Sequence, residues 1–122
     1  MSSKVLIVDD EPNILMSLEF LLKKSGYQVF IARDGREALG IIDEEVPDII
    51  LLDVMMPEVD GYEVCQKVKN NAQTSHVKII FLSAKTKKED IDKGYEMGAD
   101  LYITKPFSTR YLISQVDTFR NK

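Results

Sequence analysis

The chain is poor in cysteine, proline and glycine and has no tryptophan: one cysteine, four prolines and six glycines in 122 residues. The single thiol, Cys65, can close no internal disulfide and build no cysteine-based zinc site, so a reducing cytoplasm is the expected setting. The opening residues, MSSKVLIVDDE, lack the long apolar run of a secretory leader. No apolar stretch approaches the ~20 residues needed to cross a bilayer, which excludes membrane insertion by length. Positive charge is also in deficit, with 16 Lys and Arg against 20 Asp and Glu and a formal net charge of −4. Such a surface is a poor one for gripping nucleic acid or anionic lipid through phosphate neutralisation. Neither G-x-x-x-x-G-K-[ST] nor G-x-G-x-x-G occurs, which disfavours a nucleotide-binding loop. There is no internal repeat and no low-complexity segment.

What is present is the composition of a folded globular domain, 44% hydrophobic and 30% charged. The length suits one domain, residues 1–122, with a real core. Five short apolar runs read as buried strands: VLIV at 5–8, QVFIA at 28–32, DIILLD at 48–53, KIIFLS at 78–83 and LYIT at 101–104. Helical spacing separates them. Ile14, Leu15, Leu18, Leu21 and Leu22 form one stripe after Pro12, and Gly26 ends it. Ala38, Leu39 and Ile42 form a second, Val64, Cys65 and Val68 a third, Ile91 and Tyr95 a fourth that stops near Gly98. Leu112, Ile113, Val116 and Phe119 form the fifth, with Ser108 placed to cap it. Strict alternation of strand and helix implies a doubly wound α/β fold, a parallel sheet with helices on both faces, because parallel strands need crossover connections. Ligands of such sheets bind outside the carboxyl ends of the strands.

Asp9, Asp10, Asp53, Ser83 and Lys105 all fall at those ends. Three carboxylates a few ångströms apart raise one another's proton affinity unless a cation intervenes, and oxygen ligands in an open cluster suit Mg²⁺. For Asp9 and Asp10 alone, simple strand termination is an equally good reading, and Glu11 suits a helix cap. Asp53 shifts the balance, because an ionisable group between IILL and VMMPEVDG is costly to bury without a partner. Lys105 supplies the complementary charge, and Pro106 after it fixes the loop with a bond that is a candidate for cis.

The set VDDE, LLDVMMPEVDG, FLSAK and YITKPF resembles the receiver domain of two-component response regulators, over essentially the whole chain from Val5 to the last helix. Spacing agrees with the letters, since Ser83 and Lys105 follow Asp53 at the family's intervals. The resemblance implies a flavodoxin-like strand order 2-1-3-4-5. It implies that Asp53 accepts a phosphoryl group from a sensor histidine kinase or a histidine phosphotransfer protein, forming an aspartyl phosphate, with small acyl phosphates as alternative donors. Asp10 would hold Mg²⁺ directly and Asp9 largely through water, with Asp53 and the backbone carbonyl of Met55 completing the protein ligands. Ser83, the Ala84 backbone N–H and Lys105 would receive the phosphoryl oxygens. Ser83 and Tyr102 would form the switch, the ring of Tyr102 rotating into space that Ser83 vacates and reshaping the surface of helix four, strand five and helix five. The competing reading of Tyr102 is an amphipathic strand residue with its hydroxyl in water.

On this reading the chain catalyses only its own phosphorylation and dephosphorylation and is no enzyme in the usual sense. Its partners are the kinase and a downstream protein target or a fused effector domain, and it makes no direct nucleic-acid contact. Dimerisation on phosphorylation stays open, as does the choice between a stand-alone receiver and one cut from a longer regulator. Pro57, Asp60 and Gly61 read as turn chemistry before helix three. His76 reads as a surface loop residue, Cys65 as core, and the lysines at 87 and 88 as a solvated face. Met55 and Lys85 stand where the family varies its rate of phosphoryl loss. Val59 stands where methionine is common, and Arg110 where an acid would suit the helix dipole. A haloacid-dehalogenase-like phosphohydrolase is the alternative of another class, disfavoured because it wants a second Asp at position 55.

Overall fold

A computed structural model describes residues 3–120. Among them, strands and helices alternate without exception: β1 (Lys4–Val8), α1 (Pro12–Lys24), β2 (Gln28–Ala32), α2 (Gly35–Glu45), β3 (Ile49–Leu52), α3 (Gly61–Lys69), β4 (Lys78–Ser83), α4 (Lys88–Glu96), β5 (Leu101–Thr104) and α5 (Thr109–Arg120). The strands form one sheet in the order β2-β1-β3-β4-β5, every pair parallel. The doubly wound expectation and its strand order both hold.

The period-two alternation of each strand sorts its side chains onto two faces. Leu6, Val8, Ile50, Leu52, Ile79, Phe81 and Tyr102 pack with α2 and α3 through Ala38, Ile42, Val64, Cys65 and Val68. Val5, Ile7, Ile49, Leu51, Ile80, Leu82 and Ile103 pack with α1 and α5 through Leu15, Leu18, Leu22, Leu112 and Val116. The IILL of β3 is at most 1% exposed. At roughly 1.5–3 kcal/mol for each large apolar side chain, the central strands anchor the fold.

Helix ends follow local chemistry. Asp34 and Asp60 cap α2 and α3, their carboxylates accepting from the Glu37 and Glu63 amides at 2.8 and 2.9 Å. Ser108 does the same for α5, accepting from the Tyr111 amide at 3.2 Å. Beyond α1 and α4 the chain turns at Gly26 and Gly98, with φ of +94° and +110°.

The expected stripe of α4 needs correcting. Ile91 is half-buried, but Tyr95 is 44% exposed and Gly94 is the helix's buried residue. Strand β5 lies at the sheet edge, and the Tyr95 hydroxyl accepts from the Tyr102 amide at 3.1 Å, satisfying an edge N–H instead of filling the core.

Candidate functional site

Register brings the acidic residues together. Val8 pairs with Leu52, so the residues that follow, Asp9 and Asp53, leave adjacent strands at one height. The Asp53 amide donates to the Val8 carbonyl at 3.0 Å, and the Asp9 amide to that of Ala32 at 3.1 Å. Ser83 pairs with Thr104 and its carbonyl accepts from the Lys105 amide at 2.8 Å, which brings Lys105 to the same rim.

Asp9, Asp10 and Asp53 each offer a carboxylate oxygen, and these atoms lie within 4.8 Å of one another. Asp9 and Asp53 are buried, 1% and 6% exposed, while Asp10 faces solvent. The Lys105 ammonium donates to Asp9 Oδ2 at 2.9 Å and to Glu11 Oε1 at 3.2 Å, and stands 3.7 Å from Asp53 Oδ2. Burial would lower the pKa of Lys105, but Asp9, Asp53 and Glu11 outweigh it and hold it above its ordinary value. Burial is also the largest influence on Asp53 and pushes its carboxyl up to about 6. Lys105 and the Met55 N–H oppose that rise, and the charges of Asp9 and Asp10 add to it. One cation shared among these carboxylates leaves negative charge poorly compensated at Asp53, and an open cluster of oxygen ligands suits a hard divalent ion.

Glu11 occupies the N-cap position of α1, but its side chain makes no cap bond and turns to Lys105 instead. Asp9 meets the helix entry, its Oδ1 accepting from the Glu11 amide at 2.9 Å. The attraction of a half-buried ammonium outcompetes a single exposed backbone N–H.

Ser83 is fully buried and its hydroxyl accepts from the Lys85 amide at 3.1 Å. Tyr102 is 9% exposed, and its hydroxyl donates to the Lys85 carbonyl at 2.8 Å. The reading with that hydroxyl in water is overturned. The ring already lies inward, 5.8 Å from Phe81, in space left by Gly94, where a Cβ would come 2.8 Å from Tyr102 Cδ2. Ala84 is exposed and lines a groove with Lys105 and Pro106. The Lys105–Pro106 bond is cis. Gly61 serves close approach more than an unusual backbone angle, since a Cβ there would sit 2.2 Å from the Asp53 carbonyl oxygen. Pro57 and Met55 are exposed, and the Met55 amide donates to Asp53 Oδ1 at 3.2 Å. His76 is exposed and Cys65 buried, as expected.

Sequence reasoning missed the partnership of Glu11 with Lys105, because the two lie 94 residues apart. It also missed the Lys85 backbone, which serves Ser83 and Tyr102 through atoms that every residue carries.

The profile of the response regulator receiver domain matches residues 5–117. The chain belongs to the response regulator receiver family. Among solved structures, the receiver domain of a signal transduction histidine kinase from Syntrophus aciditrophicus is 36% identical. Its TM-score is 0.89, over 97% of this chain and 89% of that one. The BeF3-activated DrrB receiver domain is 35% identical, with a TM-score of 0.91 and full coverage of both chains. The chemotaxis response regulator CheY4 of Vibrio cholerae is 33% identical, with a TM-score of 0.91 over 98% and 99%. Receiver domains are typically signalling modules without enzymatic turnover; they bind Mg²⁺ at an acidic pocket and interact with histidine kinases and downstream effectors. The phosphohydrolase alternative finds no support, and position 55 is Met55. Among the described residues, no helix of this receiver is long and apolar enough to cross a membrane.

Proposed function

We infer that this receiver accepts a phosphoryl group on Asp53 from a phosphohistidine and passes the event to the surface formed by α4, β5 and α5. The observation that carries the reading is the convergence of Asp9, Asp10, Asp53 and Lys105 on one rim, with the Lys105 ammonium 3.7 Å from Asp53 Oδ2. With its carboxyl at about 6, Asp53 is mostly ionised at neutral pH and available as a nucleophile. An Asp53 oxygen attacks phosphorus, the bond from phosphorus to the imidazole nitrogen breaks, and its electron pair leaves with the donor histidine.

Asp9, Asp10, Asp53 and the Met55 carbonyl are the residues that would hold Mg²⁺, which supplies charge neutralisation at the phosphoryl oxygens. Lys105 neutralises a further oxygen, and the Ser83 hydroxyl with the Ala84 N–H meets another. The charge of the transferring group spreads over those equatorial oxygens, so fixed donors and cations are what the protein has to supply. Drawing Ser83 toward a phosphoryl oxygen competes with its present bond from the Lys85 amide. The Tyr102 hydroxyl sits on the carbonyl of that same residue, and one shift therefore reaches both. A phosphoryl group moves this equilibrium only by interacting differently with its two states.

A groove of about 600 Å³ lined by Ile14, Leu18, Lys105 and Phe107 opens beside the rim and suits the histidine-bearing donor protein. The chain is read as a single receiver unit over residues 1–122, of which the terminal two at each end lie outside the described residues, working in the cytoplasm where such kinases present their phosphohistidine. The test is intact mass after incubation with Mg²⁺ and acetyl phosphate, for wild type and Asp53→Asn, with an EDTA control. One added phosphoryl group that needs both Mg²⁺ and Asp53 is expected. A wild type left unmodified by acetyl phosphate and by a phosphorylated histidine kinase would sink the reading.

A further inference from the structure

The start of α3 is bolted to the phospho-acceptor backbone. Gly61 lies so close to Asp53 that a Cβ would meet its carbonyl oxygen at 2.2 Å, and the Gly61 amide donates to the Val54 carbonyl at 2.9 Å. The next residue, Tyr62, is buried at 7% exposure and reaches α4 in two ways. Its hydroxyl donates to the Asp90 carbonyl at 3.0 Å, and its ring lies beneath the Lys93 ammonium, 4.5 Å from the centroid. The same ring meets Phe81 edge-on at 5.6 Å, and Phe81 in turn meets Tyr102 at 5.8 Å. Burial, the adjoining Tyr102 hydroxyl and Asp90 together push the Tyr62 phenol up to about 12. One side chain, on the helix whose first residue packs against Asp53, thus touches the helix expected to carry the output and the aromatic cluster that holds the switch tyrosine.

We propose that Tyr62 is a positioning residue that ties α4 and the inward Tyr102 to the Asp53 loop, a mechanical connection parallel to the Ser83–Tyr102 route. A movement of the Asp53 backbone carries Gly61 and Tyr62 with it, and Tyr62 transmits it to the first turns of α4 through Asp90 and Lys93. Loss of the hydroxyl alone leaves no buried orphan, since the Asp90 carbonyl still accepts a helical amide within α4. Tyr62→Phe is therefore a conservative probe. The proposal rests on the acceptor reading only for the event that drives the motion; the coupling belongs to the resting protein.

Amide hydrogen exchange across α4 tests it in four proteins without phosphodonor: wild type, Tyr62→Phe, Tyr102→Phe and the double variant. The expected result is exchange about fivefold faster in α4 for Tyr62→Phe, unchanged exchange in α1, and a double variant slower than the product of the single effects. Unchanged α4 exchange, equal acceleration in α1, or a purely multiplicative double variant overturns it. A second arm adds Mg²⁺ and acetyl phosphate and checks mass on the same samples. Tyr62→Phe is expected to gain the phosphoryl group as wild type does while its exchange response in α4 is at least halved. A full α4 response in that variant overturns the proposal. If wild type gains no phosphoryl group from acetyl phosphate, a phosphorylated histidine kinase replaces it as donor; failure of both sinks the acceptor reading, and the resting cycle alone then decides the coupling.

Discussion

Asp53 shows how a single side chain sets the balance between stability and chemistry. Its folded pKa of about 6 lies above the ordinary carboxylate value, with burial as the main cause, so ionisation works against the fold. A raised value means that its stabilising effect is complete below the unfolded pKa and is lost as pH rises through 6. Asp53→Asn is therefore expected to raise stability in EDTA at pH 7 by about 1–2 kcal/mol, a gain that fades toward pH 4. Urea unfolding at the two pH values checks it, and equal or lower stability of the variant at pH 7 would overturn the electrostatic reading. A group that opposes folding when charged is one that a bound cation rescues. Millimolar Mg²⁺ is expected to raise the Tm of wild type by a few degrees and that of Asp10→Asn by much less, followed by calorimetry. Much of this site was legible residue by residue, because Asp9, Asp10, Asp53, Ser83 and Lys105 end strands or follow them at once. Glu11 was misread because a local cap and a distant ammonium compete for the same carboxylate, and only the distance to Lys105 decides between them.

At the scale of elements, helix α5 was the easy one, since Ser108 caps it as its place before the fifth stripe implies. Asp34 and Asp60 each precede a Glu by three residues and accept from that Glu's amide, a role that the turn reading of Asp60 did not anticipate. Removing the cap with Asp60→Ala is expected to destabilise by about 1 kcal/mol, read from the urea midpoint. The helix α4 was hard to read because one of the two residues of its expected stripe, Tyr95, serves a sheet edge through its hydroxyl. Gly94, which composition alone marks as a weak point, is the position that admits the Tyr102 ring. Gly94→Ala sets about 1 kcal/mol of helix propensity against a contact of 2.8 Å between its Cβ and Tyr102 Cδ2. Since Tyr102 stands near the surface and can rotate outward, stability is expected to change by less than about 1 kcal/mol while the ring becomes exposed. Solvent-perturbation absorbance of tyrosine checks this, and a ring as protected as in wild type would overturn it.

Across the whole molecule, burial of phenols and of the one thiol shapes the alkaline limb of stability. Burial pushes Cys65 and Tyr62 up to about 12 and also raises Tyr27 and Tyr102. Above pH 9 the unfolded chain releases protons that the folded chain keeps, so stability falls as pH rises from about 9 through 12. Urea midpoints that stay flat between pH 8 and pH 11 would contradict it. For the same reason, Cys65 is expected to resist iodoacetamide at pH 8 in the native state and to react once urea unfolds the chain.

The sequence by itself determined the alternation of five strands and five helices, the parallel sheet they require, and the polar residues at its carboxyl rim, because these depend on periodicity and chain order. Only the tertiary structure decided which oxygens share Lys105, where the Tyr102 ring rests and what Tyr62 touches. Those outcomes depend on distances between segments far apart in the chain, and on backbone atoms such as the Lys85 carbonyl that carry no sequence signal.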